Sequence, residues 1–440
     1  MSNKIKKLND FIEDEERRRV TTTAYDIPGD WKIVRLGEYA EIFGGTTPPK
    51  RNPNYWNGKI PWATPTDITS LRSNFINDTS EKITEKAVKE CSLRIIEPGN
   101  VLLTSRATIG FAAINTTPMT INQGITAIIP NKNKIDSLFL VYLLRYMKKI
   151  LEQLAGGSTF KEISRSTLRS LKIPLPPIDE QRRIAEVLST VDEAIRLVDE
   201  SIAGTERLKK GLMQELLTKG IGHKEFKQTE IGKIPKEWKI VKLGKILVEC
   251  YRYPTYYNIT YVDKGIPEIR GELLKDGQIE NDPKKIRYVS EETAKKFPRV
   301  RLMEGDLVIS VRGTMGKVGY VPKELEGAII TANLMRLSPN KQLIHSKYLL
   351  HCLLSEKFRF ILNALSPYTT IKTIQASVLK SIPIPLPPLS EQQKIAEILS
   401  AIDEKLNLEK KRKRVLEQVK KALMDLLLIG KVRLKVSENV

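Results

Sequence analysis

The chain has 440 residues, too many for one hydrophobic core, so two or more domains are expected. Its 73 Lys and Arg against 52 Asp and Glu leave a formal charge of +21, which asks for a polyanionic partner, nucleic acid first. Three Cys without a C-x-x-C pair and three His exclude a disulfide scaffold, a Cys-rich zinc module and a His-built metal site, and suit a reducing cytoplasm.

Residues 1–24 are highly charged, and residues 4–19 read as a helical docking or frayed arm rather than a DNA reader. They hold no apolar secretory core, and nowhere does an apolar run approach the ~20 residues of a membrane span. A first module is expected over residues 25–177 and a second over 221–388, each made of short strands broken by Gly, Pro and Asn with some helix. Residues 101–105 and 307–311 read as strands, and 138–154 and 346–362 as helices. Pro174, Pro176 and Pro177, like Pro385, Pro387 and Pro388, cannot lie inside a helix and mark an extended exit from each module. Long helices are expected at 178–220 and 389–430, followed by a tail at 431–440. Asp179 and Ser390 stand where N-caps belong, Ser390 with Gln393 in a capping-box pattern. Gly220 and Gly430 stand at the ends.

The chain repeats itself. IPGDWKIVRLG at residues 27–37 returns as IPKEWKIVKLG at 234–244. IPLPPIDEQRRIAEVLSTVDE at 173–193 returns as IPLPPLSEQQKIAEILSAIDE at 384–404, with 14 of 21 positions identical. A period near 210 residues is too long for a solenoid and indicates a duplicated domain plus helix. The interiors diverge: TSRATIG at 104–110 resembles SVRGTMG at 310–316, whereas NYWNG at 54–58 has no partner. A common frame with variable interiors suits two modules doing one job on different targets.

Along the first helix Ile184, Leu188, Val191, Ile195, Val198 and Ile202 alternate in steps of three and four. Along the second, Ile395, Leu399, Ile402 and Leu406 do the same, before the basic run at 410–414. These heptad stripes predict a helix-pair core. Each buried Leu or Ile contributes roughly 1.5–3 kcal/mol, so stripes this long need a partner. The first helix delivers the chain to module two and the second starts there, so full-length pairing requires an antiparallel arrangement. The expectation is a pseudo-two-fold dumbbell about 60 Å between attachments.

No phosphate loop, dinucleotide fingerprint, nucleophile elbow, metalloprotease helix or amino-methyltransferase motif is present, so no catalytic, cofactor or metal residue is assigned. Asp67 and Asp306 read as turn or cap residues, and the three Cys as buried apolar groups. Basic surface remains. Lys50, Arg51, Asn54 and Tyr55, with Trp56, form a basic-aromatic loop; Arg252, Tyr253, Arg270, Lys284, Lys285 and Arg287 play the comparable part in copy two. Arg106 and Arg312 occupy matching turns, either bonding their own loops or reaching guanine edges and phosphates.

The repeated I-P-L-P-P-x-x-E-Q-x-x-I-A-E-[V/I]-L-S-x-x-D-E closely resembles the specificity subunit of type I restriction-modification enzymes. Residues 27–37 and 234–244, GGTTP at 44–48 and LLTKG at 216–220 carry the likeness too, which spans residues 25 to 433. The resemblance implies a non-catalytic, cytoplasmic subunit of α+β class. Two globular mixed α/β target recognition domains, separated by two long antiparallel helices in a coiled coil, would each read half of a split double-stranded DNA site. The helices would set the spacer and bind two methyltransferase subunits, with restriction/translocase subunits also in the complex. S-adenosylmethionine, ATP and Mg would belong to those partners, and no membrane is involved. The competing classes are a stand-alone nuclease or methyltransferase, and a coiled-coil scaffold without sequence reading.

Overall fold

A computed structural model describes residues 27–434 apart from 157–160, 253–258, 276 and 366–372. The charged extension and Tyr253 therefore lie outside the described residues. The repeated motifs explain each other once folded. Strand Lys32–Arg35 pairs antiparallel with Lys172–Leu175, and Lys239–Lys242 pairs in the same sense with Pro383–Leu386. Each module is thus closed by its first and last motif. Prolines are tolerated in these two-stranded ribbons because a missing N–H can face outward. Past the ribbon the chain turns helical, giving two helices of 39 residues, Ile178–Leu216 and Leu389–Leu427.

Helix entry differs from the expected capping. Ile178 and Leu389 already begin the helices, so Asp179 and Ser390 lie in the first turn. The Pro177 carbonyl accepts from the amides of Glu180 and Gln181, and Pro388 does the same for Glu391 and Gln392. Gln393 donates to Glu397 at 3.0 Å and closes no capping box. Gly220 and Gly430 take left-handed conformations past the helix ends, at φ +68° and +73°.

The chain divides into two compact units, one of residues 1–200 with 411–440, the other of residues 201–410. Each unit therefore holds one module and a half of each long helix. The first is built on a sheet in the order Ala40–Gly44, Ile125–Pro130, Val101–Thr104, Ala112–Asn115, Phe75–Ile76. The second repeats the first four positions as Leu247–Tyr251, Leu334–Pro339, Leu307–Ser310 and Val318–Tyr320. Helices Ser137–Tyr146 and Ser346–Leu354 join the cores beside these sheets. The two units differ in the sheets added to this frame. The first carries Lys82–Ile83, Trp56–Ala63 and Thr120–Ile121. The second carries Tyr261–Val262, Arg287–Val289, Ile266–Ile269 and Ile329–Ile330.

The two helices run antiparallel within each unit. In the first, Lys420 meets Asp192 at 2.5 Å and Lys413 meets Asp199 at 2.6 Å. In the second, Lys410 meets Glu206 at 3.2 Å and Lys209 meets Asp403 at 2.5 Å. The heptad residues divide differently from the expected continuous helix-pair core. Ile184 and Leu188 are buried in the first module's core together with Leu427 and Leu428. Ile395 and Leu399 are buried in the second with Leu216 and Leu217. Farther along, Val198 and Leu406 are buried, while Val191, Ile195, Ile202 and Ile402 are half-buried. The modules take the apolar ends of the helices, and ion pairs supplement apolar contact between.

The shared E-Q dipeptide is a fastening. Gln181 accepts from the Asp136 amide at 2.9 Å and donates to the Lys134 and Pro176 carbonyls. Gln392 repeats this with the His345 amide and the Leu343 and Pro387 carbonyls. Glu180 accepts from the Trp31 indole at 3.1 Å, and Glu391 accepts from Trp238 at 3.0 Å. Each carboxylate then receives the end of the other helix. Arg433 grips Glu180 through two 2.8 Å bonds, and His223 lies 2.9 Å from Glu391. The close approach requires Gly220, where a Cβ would fall 2.5 Å from the Glu391 carboxylate and 2.7 Å from the Trp238 ring.

Candidate DNA interface

In the first module the segment after Gly44 runs along residues 121–125, its Gly45 and Thr46 amides donating to the Ile125 and Ile121 carbonyls, and on to an aromatic cleft. Gly45 must be glycine, since a Cβ would sit 2.2 Å from the Ile121 carbonyl. The Thr46 carbonyl accepts from the Trp62 indole at 3.1 Å, and the Ser105 amide donates to Gly124 nearby. Trp62 is buried and meets half-buried Trp56 edge to face, with centroids 5.0 Å apart. Lys50 lies 3.9 Å over the Trp56 ring and touches Glu81. Lys50, Trp56 and Glu81, with Pro53, Asn57, Gly58 and residues 79–82, wall a cleft of about 640 Å³.

The other loop candidates go elsewhere. The Tyr55 hydroxyl donates to Glu90 at 2.8 Å, which raises its pKa above the usual phenol value. The Asn54 carbonyl accepts from Thr84, while Arg51 is exposed. Arg106 forms a bridge with Glu162, whose carboxylate is 3.7 Å away; Arg312 makes the matching bridge with Thr373. The two arginines thus occupy one place in the common frame, and among the described residues only Arg106 finds a carboxylate there.

The second module gathers its basic candidates at one end of its added sheet. Arg287 pairs with the buried Glu268 at 2.7 Å. Arg270, just past the neighbouring strand, bonds Glu272 and donates to the Lys285 carbonyl at 2.6 Å. Lys285 in turn meets Glu280 at 2.5 Å; with Lys275, it holds that carboxyl down at about 2. Arg252 donates to the Ala332 carbonyl at 2.9 Å, and Lys284 is exposed. Asp67 serves a capping box with Thr64. Asp306 accepts from Arg336 at 2.7 Å and Ser338 at 2.5 Å. Both therefore have structural partners. Cys250 and Cys352 are buried, but Cys91 is only half-buried, at a helix end where solvent reaches it.

Sequence reading missed the excursion at residues 57–59. Trp56 and Ile60 both pair with Ile83, so the residues between are looped out of the strand. Asn57 adopts φ +59°, and a Cβ on Gly58 would fall 2.1 Å from the Ile83 carbonyl. The N-G pair was a visible turn signal, but its location inside a strand was not. Among the described residues no group of three or more His, Cys, Asp or Glu could hold a metal ion, and no helix is long and apolar enough to cross a membrane.

A family model for the type I restriction modification DNA specificity domain matches twice, over residues 28–207 and 235–418. The chain belongs to that family. It is 32% identical over 423 residues to the type I restriction enzyme MjaIX specificity subunit of Methanocaldococcus jannaschii, covering 93% of this chain and 95% of the relative. The MjaVIII specificity subunit of the same organism is 30% identical over 421 residues, 93% of this chain and 94% of that one. The fold is shared with a crystal structure of a type I restriction-modification system S subunit from M. genitalium. That comparison has TM-score 0.58 and 16% identity, over 92% of this chain and 98% of the other. The duplicated modules and paired helices are thus the architecture of a DNA-specificity subunit, a recognition component rather than a catalyst.

Proposed function

We propose that each module reads one half of a bipartite double-stranded DNA target, while the paired helices set the spacer and dock methyltransferase subunits, two per chain. The observation that carries this reading is the double family match on copies that keep one sheet order and differ in their added sheets. A shared frame gives two readers one docking geometry; unlike additions give them unlike half-sites. Arg106 and Arg312 from the frame, and Lys50, Arg51, Arg252, Arg270, Lys284, Lys285 and Arg287 from the additions, supply base and phosphate contacts. Intramolecular ion pairs at several of these groups would exchange for phosphates on binding, so affinity should fall steeply with salt. S-adenosylmethionine, ATP and Mg are assigned to partner subunits, restriction/translocase subunits among them.

Methylome sequencing of DNA modified by the complex reconstituted with methyltransferase subunits tests this. A split target with a fixed unspecified gap is expected; a continuous site or unspecific modification overturns it. Deleting one heptad from each helix removes about 10 Å of rise and should shorten the gap by about three base pairs, with both halves kept. An unchanged gap removes the helices' role in spacing.

A further inference from the structure

The looped-out segment Asn57–Lys59 sits on the mouth of the first module's cleft, which Asn57 and Gly58 help to line. Its geometry is costly. A non-glycine residue at φ +59° persists where surrounding structure imposes it, and here the next position admits no side chain, because a Cβ on Gly58 would meet the Ile83 carbonyl. Bulges of this kind re-aim side chains, and here the result is an exposed Asn57 whose amide makes no hydrogen bond among the described residues. The charges around it are sorted. Glu81 is taken by Lys50 and Asp78 by Lys82 at 3.0 Å. Arg51 and Lys59, before and after it in sequence, are exposed and form no ion pair among the described residues. An unpartnered carboxamide, flanked in sequence by two exposed cations, suits a duplex edge, where an amide can pair bidentately with adenine N6 and N7 while cations meet flanking phosphates. Nothing in the second copy aligns with this segment.

We infer that Asn57 reads an adenine in the half-site of the first module, with Arg51 and Lys59 on the adjoining phosphates. The inference rests on that module being a half-site reader, and it names the residue that sets one position of its preference. A bland alternative exists: asparagine tolerates the left-handed region, so Asn57 would be there for the turn alone. Glycine tolerates that region still better and removes only the amide, which separates the two explanations.

The test uses the full chain with its methyltransferase partners and reads the modified sites genome-wide for wild type, Asn57→Gly and Asn57→Asp. The expected result is that both variants lose preference at one A·T pair of the first half-site, by roughly five- to a hundredfold, with the second half-site and the gap unchanged. An unchanged first half-site in Asn57→Gly overturns the inference. So does loss of both half-sites, which would make Asn57 a support of the fold. If the wild-type complex itself modifies no split target, the half-site reading fails and the assignment of Asn57 falls with it, a result distinct from an unchanged first half-site in Asn57→Gly, which overturns the assignment alone.

Discussion

At the joint between module and helices, the first unit buries Tyr142 against the cross-helix pair Asp192–Lys420. Its hydroxyl donates to Asp192 at 2.7 Å and accepts from Asn74 at the same distance. The second unit places His351 against Asp403–Lys209, residues 211 positions removed from their counterparts. There the imidazole stops 4.0 Å short of the carboxylate, and both ring nitrogens are buried without a hydrogen bond among the described residues. The helix-end fastenings differ in parallel. Arg433 holds Glu180 with two charge-assisted bonds and reaches Asp30 as well, whereas His223 offers Glu391 one ring nitrogen. The difference teaches that duplication preserved the ion pair, the carboxylate and the indole, while the groups completing them drifted. The first unit is the better satisfied of the two.

The fastening is the most sensitive place to probe that asymmetry. Glu180→Gln removes the charge that Arg433, Trp31 and the Leu434 amide share. It should cost about 2–3 kcal/mol; Glu391→Gln should cost about 1–2. Amide exchange in helices Ser137–Tyr146 and Ser346–Leu354 reads the two units separately, and equal losses would erase the asymmetry. Acid should attack them unequally too. Burial, reinforced by Lys209 and Lys347, pushes His351 down to about 3 from an ordinary 6.5. The unfolded chain therefore takes up that proton first. Stability is whole above about 6.5 and drains as pH falls toward 3, by about 2 kcal/mol at pH 5. Asp403 and His345 also face this ring, so the measurement is the difference between wild type and His351→Phe, in which this component should vanish.

Near neutral pH the same substitution should stabilise the second unit by ~1 kcal/mol, since it deletes two unpaired polar atoms. Tyr142→Phe should destabilise the first by about as much, since Asp192 and Asn74 lose a partner; matching signs would refute the comparison. The smallest effect belongs to the partly exposed Lys413. Lys413→Ala should cost under ~1 kcal/mol, checked by exchange along the second long helix. A larger loss would show that ion pairs, and not the buried ends, hold the helices together.

The frame was legible because periodicity and proline report local physics. Heptad spacing announced both long helices, and I-P-L-P-P marked where each begins. The E-Q dipeptide was equally visible as identical residues in both copies, yet its task was hidden. Glu180 meets Trp31, and Gln181 meets Lys134, across long stretches of chain that no local pattern links. The DNA-reading candidates were chosen by charge, and charge alone does not say which groups are occupied. Tyr55 turned out to serve Glu90, while Asn57, passed over, stands open at a cleft.

The sequence by itself determined the duplication, the antiparallel sense of the helices and the family, since each follows from spacing, chain connectivity or identity between copies. Only the tertiary structure decided that the helix ends belong to the module cores, and which carboxylate each helix end meets. It also decided where a strand breaks register, at residues 57–59. Those outcomes depend on contacts between residues far apart in the chain, and their free energies arise from burial and geometry that a one-dimensional pattern does not encode.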